Sequence, residues 1–298
     1  MPVTYGNNYG KLLEPGLRKT FFETYKEKPE QYSQVFNILT SKKAIETDSR
    51  MGGFSTWNSK ASLDATEFED PTKLDTVMYK HTTFSKGFVV DKELVDDEMY
   101  GQISKLPKAL ARAARATIES QAITVLNTAF TPAATNFQGE ALVGTHTRLD
   151  GGSTTNSIGD YALSEANLEI AMQLASQQVD ERGLKIQMMP DILVVPRALE
   201  YTAKKIIKSA QLPGGNFNDI NPMKDQFKVV VLDYLTDTNN WFLIDSTMNP
   251  LNFFWREKLN FKQDSDFDTD ASKYKGRMRF SYGWTDHRGI LGANVTGG

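Results

Sequence analysis

Apolar residues fall at Met99, Ile103, Leu106, Leu110, Ala114, Ile118, Ala122 and Leu126 within DDEMYGQISKLPKALARAARATIESQAITVLNTAF, Asp96 to Phe130. Steps of three and four place them in one stripe along one side of a helix. Ala109, Ala111, Ala113, Ala114 and Ala116 add strong intrinsic helix preference. Pro107 has no backbone N–H and crowds the turn before it, so it starts the continuous rod or kinks it. From Pro107 to Ala129 such a rod spans about 34 Å. No other stretch of the chain predicts so long a helix.

The elements around this beam are shorter. Leu17, Phe21, Phe22 and Tyr25 predict one amphipathic helix ended by Lys28-Pro29, and a second apolar patch follows at Tyr32, Val35, Phe36, Ile38 and Leu39. Neither can bury its apolar side alone, so each lies on the rest of the chain or on a neighbour. From Arg50 to Asp91 the character changes: Phe54 to Trp57 and Val77 to Val90 carry strand-favouring residues around the polar stretch KASLDATEFEDPTKLD. We read a long two-stranded excursion with a solvated tip. A lone hairpin is marginal in water, which implies a partner surface elsewhere.

Beyond the beam, Thr131 to Asp160 reads as loop, with a turn at Asp150-Gly151-Gly152. Ser164 is a suitable N-cap for a helix whose face is Leu168, Met172, Ala175 and Val179, with Gly183 as its stop. Pro190 leads into a strand, Asp191 to Val195, and Pro196 opens a helix with Leu199, Ala203, Ile206, Ile207 and Ala210 on one face, ended by Pro213-Gly214-Gly215. Strands follow at Lys228 to Leu232, Trp241 to Asp245, Leu251 to Trp255 and Arg277 to Trp284. The last alternates cleanly, with Met278, Phe280, Tyr282 and Trp284 on one face. The mixture predicts an α+β chain.

Composition removes several classes of function. The 298 residues are 40% hydrophobic and 24% charged, which fits a folded chain long enough for about two domains. Ile192 to Val195 and Val229 to Leu232 are too short to span a bilayer, and the first residues show no secretory pattern. With no cysteine, disulfides, iron–sulfur clusters and thiolate zinc sites are out. A formal charge of -3 argues against a protein that coats nucleic acid.

Candidate chemistry is sparse. His81, His146 and His287 lack metal-ligand spacing and read as solvated or loop histidines. GNNYGKL, Gly6 to Leu12, falls one residue short of a phosphate loop and lacks the hydroxyl residue after the lysine. Asp264, Asp266, Asp268 and Asp270 suggest a calcium loop, yet the sixth position is Thr269 and the twelfth Lys275, where an EF-hand needs Gly and Glu. That stretch reads as a solvated acidic tip. Lys105, Lys108, Arg112 and Arg115 form a basic stripe on the beam, suited to an acidic neighbour or to weak, salt-dependent contact with nucleic acid. Asn294-Val295-Thr296 is a glycosylation sequon that matters only in a secreted chain. No catalytic, cofactor-binding or metal residue is assigned, no cofactor is expected, and the sequence does not point to an enzyme.

Leu94 to Phe130 resembles the hairpin exit and spine helix of the major capsid proteins of tailed bacteriophages, which share the Hong Kong 97 shell fold, with the Mu-like major head subunits closest. The likeness continues in LVGTHTRLDGGSTTN, Leu142 to Asn156, and in the succession ALSEANLEIAMQLASQQVDERG, PDILVVPRALEYTAKKII and VVVLDYLTDTNNWFLID. It implies an N-terminal arm (1–49), an extended loop (50–91), a peripheral domain with the spine helix (92–182), an axial domain (183–245) and C-terminal strands returning to the peripheral domain (246–298). It also implies self-assembly into hexamers and pentamers of an icosahedral virion shell around double-stranded DNA, held without sequence-specific binding and put together in the host cytoplasm. Scaffolding, portal and decoration proteins are the implied partners, and no membrane is. Some relatives carry a long N-terminal scaffolding segment; this chain begins almost directly at the arm, so a separate scaffolding protein is expected. Some also crosslink a loop lysine to a neighbour's asparagine. Lys60 and Lys86 lie in the loop, but no acceptor or catalytic glutamate aligns, and that chemistry is not carried over.

Three other readings are open to this sequence. An encapsulin-like nanocompartment would use the same fold around enclosed enzyme cargo. A carboxylate-based metal hydrolase would centre on Asp264 to Asp270, and a DNA-binding module on the basic stripe.

Overall fold

A computed structural model of the chain describes residues 9–91, 93, 100–132, 140–211, 220–265 and 271–295. The beam is a 23-residue helix, Lys105–Asn127, preceded by a short turn of helix at Tyr100–Ile103. The break falls at Ser104 and Pro107 sits in the first turn, where a missing N–H costs nothing. The continuous rod therefore starts beside Pro107. The expected beginning of the stripe, Asp96 to Met99, lies outside the described residues.

The beam packs on two sheets. The first has the order β1-β11-β12-β4, formed by Asn37–Thr40, Leu251–Ser265, Ser272–Trp284 and Thr82–Val90. The second has the order β7-β13-β10-β8-β9, formed by Ser157–Gly159, Ile290–Ala293, Trp241–Ile244, Ile192–Pro196 and Lys228–Leu232. Two small ribbons complete the strands: β2 (Ile45–Met51) with β3 (Lys73–Lys80), and β5 (Thr145–Thr147) with β6 (Ser153–Thr155). The C-terminal strands divide: β11 and β12 build the first sheet, while β13 pairs antiparallel with β10 in the second.

The second sheet explains the two apolar runs ILVV and WFLI. Ile192, Val194, Phe242 and Ile244 face the core shared with the beam. Leu193, Val195, Trp241 and Leu243 face the opposite core, closed by helices α4 (Glu165–Ser176) and α5 (Glu200–Lys208) through Leu168, Ala171, Ala203 and Ile207. Strands buried on both sides have no polar alternation to show. The strands at Lys228 to Leu232 and Trp241 to Ile244 are joined by a polar turn but do not pair, because β8 lies between them.

Several expectations are corrected. The helix after Ser164 is capped as read, Ser164 Oγ accepting from Asn167 N at 3.2 Å, but it stops at Ser176 instead of Gly183. Val179 then bridges Lys185 in an extended turn, and Gly183 has φ +83°, a turn conformation rather than a helix stop. Phe54 to Trp57 is not a strand; the outgoing strand of the excursion starts earlier, at Ile45. The strand begun at Leu251 runs on to Ser265, through two register shifts. The turn at Pro213-Gly214-Gly215 and residues 6–8 of GNNYGKL lie outside the described residues; Tyr9 to Leu12 belong to the arm helix α1, Tyr9–Lys26.

The N-terminal region packs on its own chain from Leu17 onward. Phe21 is fully buried against Phe261, ring centroids 4.8 Å apart, and Tyr32, Val35 and Phe36 enter the main core. A charged residue fixes this docking. Glu119, buried on the beam, accepts both Gln31 N and Tyr32 N at 2.9 Å, filling the open N-terminus of the turn Tyr32–Gln34. Burial pushes the Glu119 carboxyl above its usual range, with the two N–H groups opposing. Glu119→Ala leaves two donors without an acceptor, and we expect the urea midpoint to fall by the equivalent of about 2–4 kcal/mol, while Glu119→Gln, which keeps one acceptor, falls by less.

Candidate functional site: the excursion, its anchor and the surfaces beside it

The ribbon β2–β3 carries residues 52–72 outward. These residues show what a chain normally hides: Trp57 is 96% exposed, Leu63 102% and Phe68 92%, with Phe54 also exposed. The two limbs enclose a groove of about 550 Å³ between Phe54, Trp57, Lys60, Asp64 and Phe68. Local polar contacts shape the tip: Ser55 N and Oγ donate to Glu69 at 2.9 and 2.8 Å, and Asn58 Nδ2 donates to Glu67 at 3.0 Å. Large apolar groups displayed on a polar frame mark a contact surface.

The base of the excursion is fixed by a buried ionic junction that composition and spacing did not reveal. Arg50, at the end of β2, directs Nη1 to His287 Nδ1 at 2.8 Å and lies 3.4 Å from Glu181, 3.7 Å from Asp75 and 3.8 Å from Asp286. His287 stacks on His146 at 3.8 Å between centroids and 10° between planes, and His146 Nδ1 lies 3.2 Å from Glu140. Asp286 is in turn clamped by Arg288. Higher up, Arg182 pairs with Glu69 of the tip. Arg50, Asp75, Glu181 and the Asp286–His287 pair, four segments far apart in sequence, thus meet around one guanidinium, with His146 stacked behind.

All three histidines are buried, which overturns their reading as solvated. His81 accepts or donates between Ser41 Oγ and Ser281 Oγ, each at 3.0 Å, joining the chain before β2 to the first sheet. Burial lowers the His81 pKa. The His287 imidazole is held down to about 2, first by burial and then by His146 beside it. No spacing flagged these residues, because a buried histidine has no motif.

The basic stripe divides. Lys105 and Lys108 are exposed, and Arg112 lies 3.9 Å from Glu27 at the surface. Arg115 instead turns onto its own arm: Nη1 donates to Glu30 at 2.7 Å, Nη2 to Tyr25 O at 2.8 Å, and the guanidinium covers the Tyr25 ring at 3.9 Å. It is therefore not available to a neighbour or to nucleic acid. Burial raises the Tyr25 hydroxyl to about 12. Lys60 stands on the tip, while Lys86 belongs to β4. Asp264 pairs in register with Lys273; Asp266 to Asp270 lie outside the described residues, as does Thr296 of the sequon. Among the described residues no cluster of three or more acidic or histidine ligands could hold a metal, and no helix is long and apolar enough to cross a membrane.

A long beam under a four-stranded sheet, a projecting ribbon and a second, doubly covered sheet make up the Hong Kong 97-like shell fold. The chain aligns with a structure from Mycobacterium phage Patience at TM-score 0.57 and 10% identity, over 99% of this chain and 91% of that one. It is similar to the virus-like particle from Pyrococcus furiosus at TM-score 0.56 and 12% identity, over 94% and 98%, and to the capsid of an empty GTA particle at 0.55 and 14%, over 90% of each. No curated protein sequence matches. The model of the phage capsid protein family matches residues 73–293, and the chain belongs to that family. It is a major capsid shell protein, α+β, of the virion. The match singles out no Mu-like subgroup.

The Arg50 junction has a pH signature. His287 stays neutral in the fold well below its ordinary 6.5, so the unfolded chain takes up a proton there that the folded chain refuses. Stability is complete above about pH 6.5 and falls as the pH drops toward the folded value of about 2. Thermal melting between pH 7 and pH 4 should show this slope, and His287→Gln should flatten part of it at the cost of lower stability at pH 7.

Proposed function

We propose that copies of this chain form hexamers and pentamers that close into an icosahedral shell around packaged double-stranded DNA. The single observation that carries this is the excursion tip, where Trp57, Leu63 and Phe68 stand almost wholly in solvent on an anchored ribbon. Apolar side chains held out from the body reward contact with another copy. The role is geometric rather than catalytic: many modest contacts add through multivalency. Phage capsid family membership favours this reading over an encapsulin-like nanocompartment and over a carboxylate hydrolase.

In this reading the beam, the arm and the first sheet form the peripheral unit. The axial unit centres on residues 183–245 and takes in β7, α4 and β13, which complete its sheet and core. DNA is enclosed without sequence-specific contact. Assembly takes place in the host cytoplasm with a scaffolding protein, a portal fills one vertex, and decoration proteins bind outside.

Negative-stain microscopy of the purified chain, alone and with a scaffolding partner, tests the proposal. Rings, tubes or shells are the expected result; a monomer at high concentration under both conditions would sink it. Trp57→Ser with Leu63→Ser and Phe68→Ser should leave the melting temperature within a few degrees of wild type, since these groups touch little of the body, and should abolish shells.

A further inference from the structure

The beam does not close evenly on the first sheet. Two layers of large side chains fill most of the gap. At one end Phe88 stacks on Tyr274, ring centroids 5.1 Å apart, beside Phe261. At the other Phe84 stacks on Phe280 at 4.7 Å, next to Met278. Between these layers the register sets Lys86 of β4 across from Gly276 of β12. The period of two along a strand puts Lys86 on the same side as Phe84 and Phe88, toward the beam. Gly276 offers no side chain there, and the beam presents only Ala113 and Ala114. What remains is a half-open cavity of about 180 Å³, walled also by Phe21 of the arm helix, Leu110 and Leu259.

The walls ask for nothing polar. Thr117 Oγ1 donates to Ala113 O at 2.8 Å and Ser85 Oγ to Gly276 O at 3.2 Å, so both hydroxyls are already used. Among the described residues of the lining Lys86 is the one charged group; it is exposed and makes no ion pair. A lysine turned inward on an edge strand discourages pairing with another chain. Its stem can cover apolar surface while the ammonium reaches water. Both reasons account for Lys86 alone. They do not account for a glycine directly across from it and two alanines beside it, which forgo the contacts that larger side chains would make. A Cβ on Gly276 would lie 3.8–3.9 Å from Leu259, Phe21 and Leu110, an ordinary contact, so packing does not demand glycine at that point.

We propose that this cavity binds a small amphiphilic anion, a monocarboxylate whose apolar part lies between Gly276 and Ala114 and whose carboxylate meets Lys86 at the mouth. An apolar cavity of about 150 Å³ takes up benzene, so this one has room for a tail of about six carbons. The tail leaves water for walls of Phe21, Phe84, Leu110 and Met278, which supplies the affinity. The ammonium selects the charged head. One ligand touches the arm helix, the beam and three strands of the first sheet, and so adds core contacts where the beam is least buried. The site belongs to the single chain and does not depend on the shell reading.

Ligand-observed NMR and thermal melting of the full-length chain test this, with hexanoate as the probe and 1-hexanol as its uncharged counterpart. Hexanoate should bind with a dissociation constant on the order of 1 mM and raise the melting temperature. Hexanol should bind about two- to fivefold more weakly, the worth of a solvent-exposed charge pair. Lys86→Gln should erase that difference and keep hexanol binding. Ala114→Met fills the cavity, so both probes should be lost while the melting temperature of the free chain holds or rises. Gly276→Ala, for which there is room, should weaken both probes and decides the matter if the larger side chain does not fold. Absence of hexanoate binding to the wild-type chain overturns the inference, as does a hexanoate preference that survives Lys86→Gln. Binding unchanged by Gly276→Ala, or by a folded Ala114→Met chain, overturns it too and assigns the probes to another surface.

Discussion

Everything in this chain leans on the C-terminal half of the beam. Ile118, Ala122, Ile123 and Leu126 are buried among Phe253 and Phe280 of one sheet and Val194, Phe242 and Ile244 of the other. A fully buried aliphatic or aromatic side chain contributes about 1.5–3 kcal/mol from leaving water. The two sheets share this core through the helix, so neither half of the fold has a complete interior without it. The N-terminal half of the beam is different: it carries lysines and Arg112 to solvent and rests on the arm helix, the first sheet and Ile103. A rod that is core at one end and surface at the other fixes the spacing between the two halves of the subunit.

That division also explains what could be read in advance. The beam, its start beside Pro107 and the Ser164 cap follow from local periodicity and capping, and the strands at Lys228 and Trp241 from short apolar runs bounded by turn residues. The buried surface of the beam is wider than one stripe, because Ala111 is buried with the arm and the first sheet, and Ile123 and Val125 in the core between the two sheets. Glu119 was invisible for a related reason: a charge inside a helix reads as solvent-facing until the two N–H groups that satisfy it are in place. The helix expected to reach Gly183 ended at Ser176 because Val179 found a bridge partner in Lys185, a tertiary choice.

The excursion was legible as an excursion, from its polar middle and its strand-favouring flanks. Its anchor was not. Arg50, His146, Glu181 and His287 lie in four separate stretches, and none has the spacing of a site. The junction they form ties the base of the ribbon to the body. It holds a lever. Cations and carboxylates in low dielectric make such a joint stiff in one geometry and costly to half-open, since any unpaired charge left inside is penalised. The tip, with its carboxylates and bare aromatic rings, can therefore be presented at a set angle.

The pairing of β1 with β11 bears on when a subunit becomes itself. Asn37–Thr40 lies parallel to Asn252–Trp255, so the edge of the first sheet joins stretches made early and late by the ribosome. Contacts so distant along the chain form slowly. The arm's strand has to wait until β11 has been made before its place exists. A nascent chain therefore cannot offer a finished surface to its neighbours on the same messenger. Folding of that edge is thereby held back until the strand that receives it has been made.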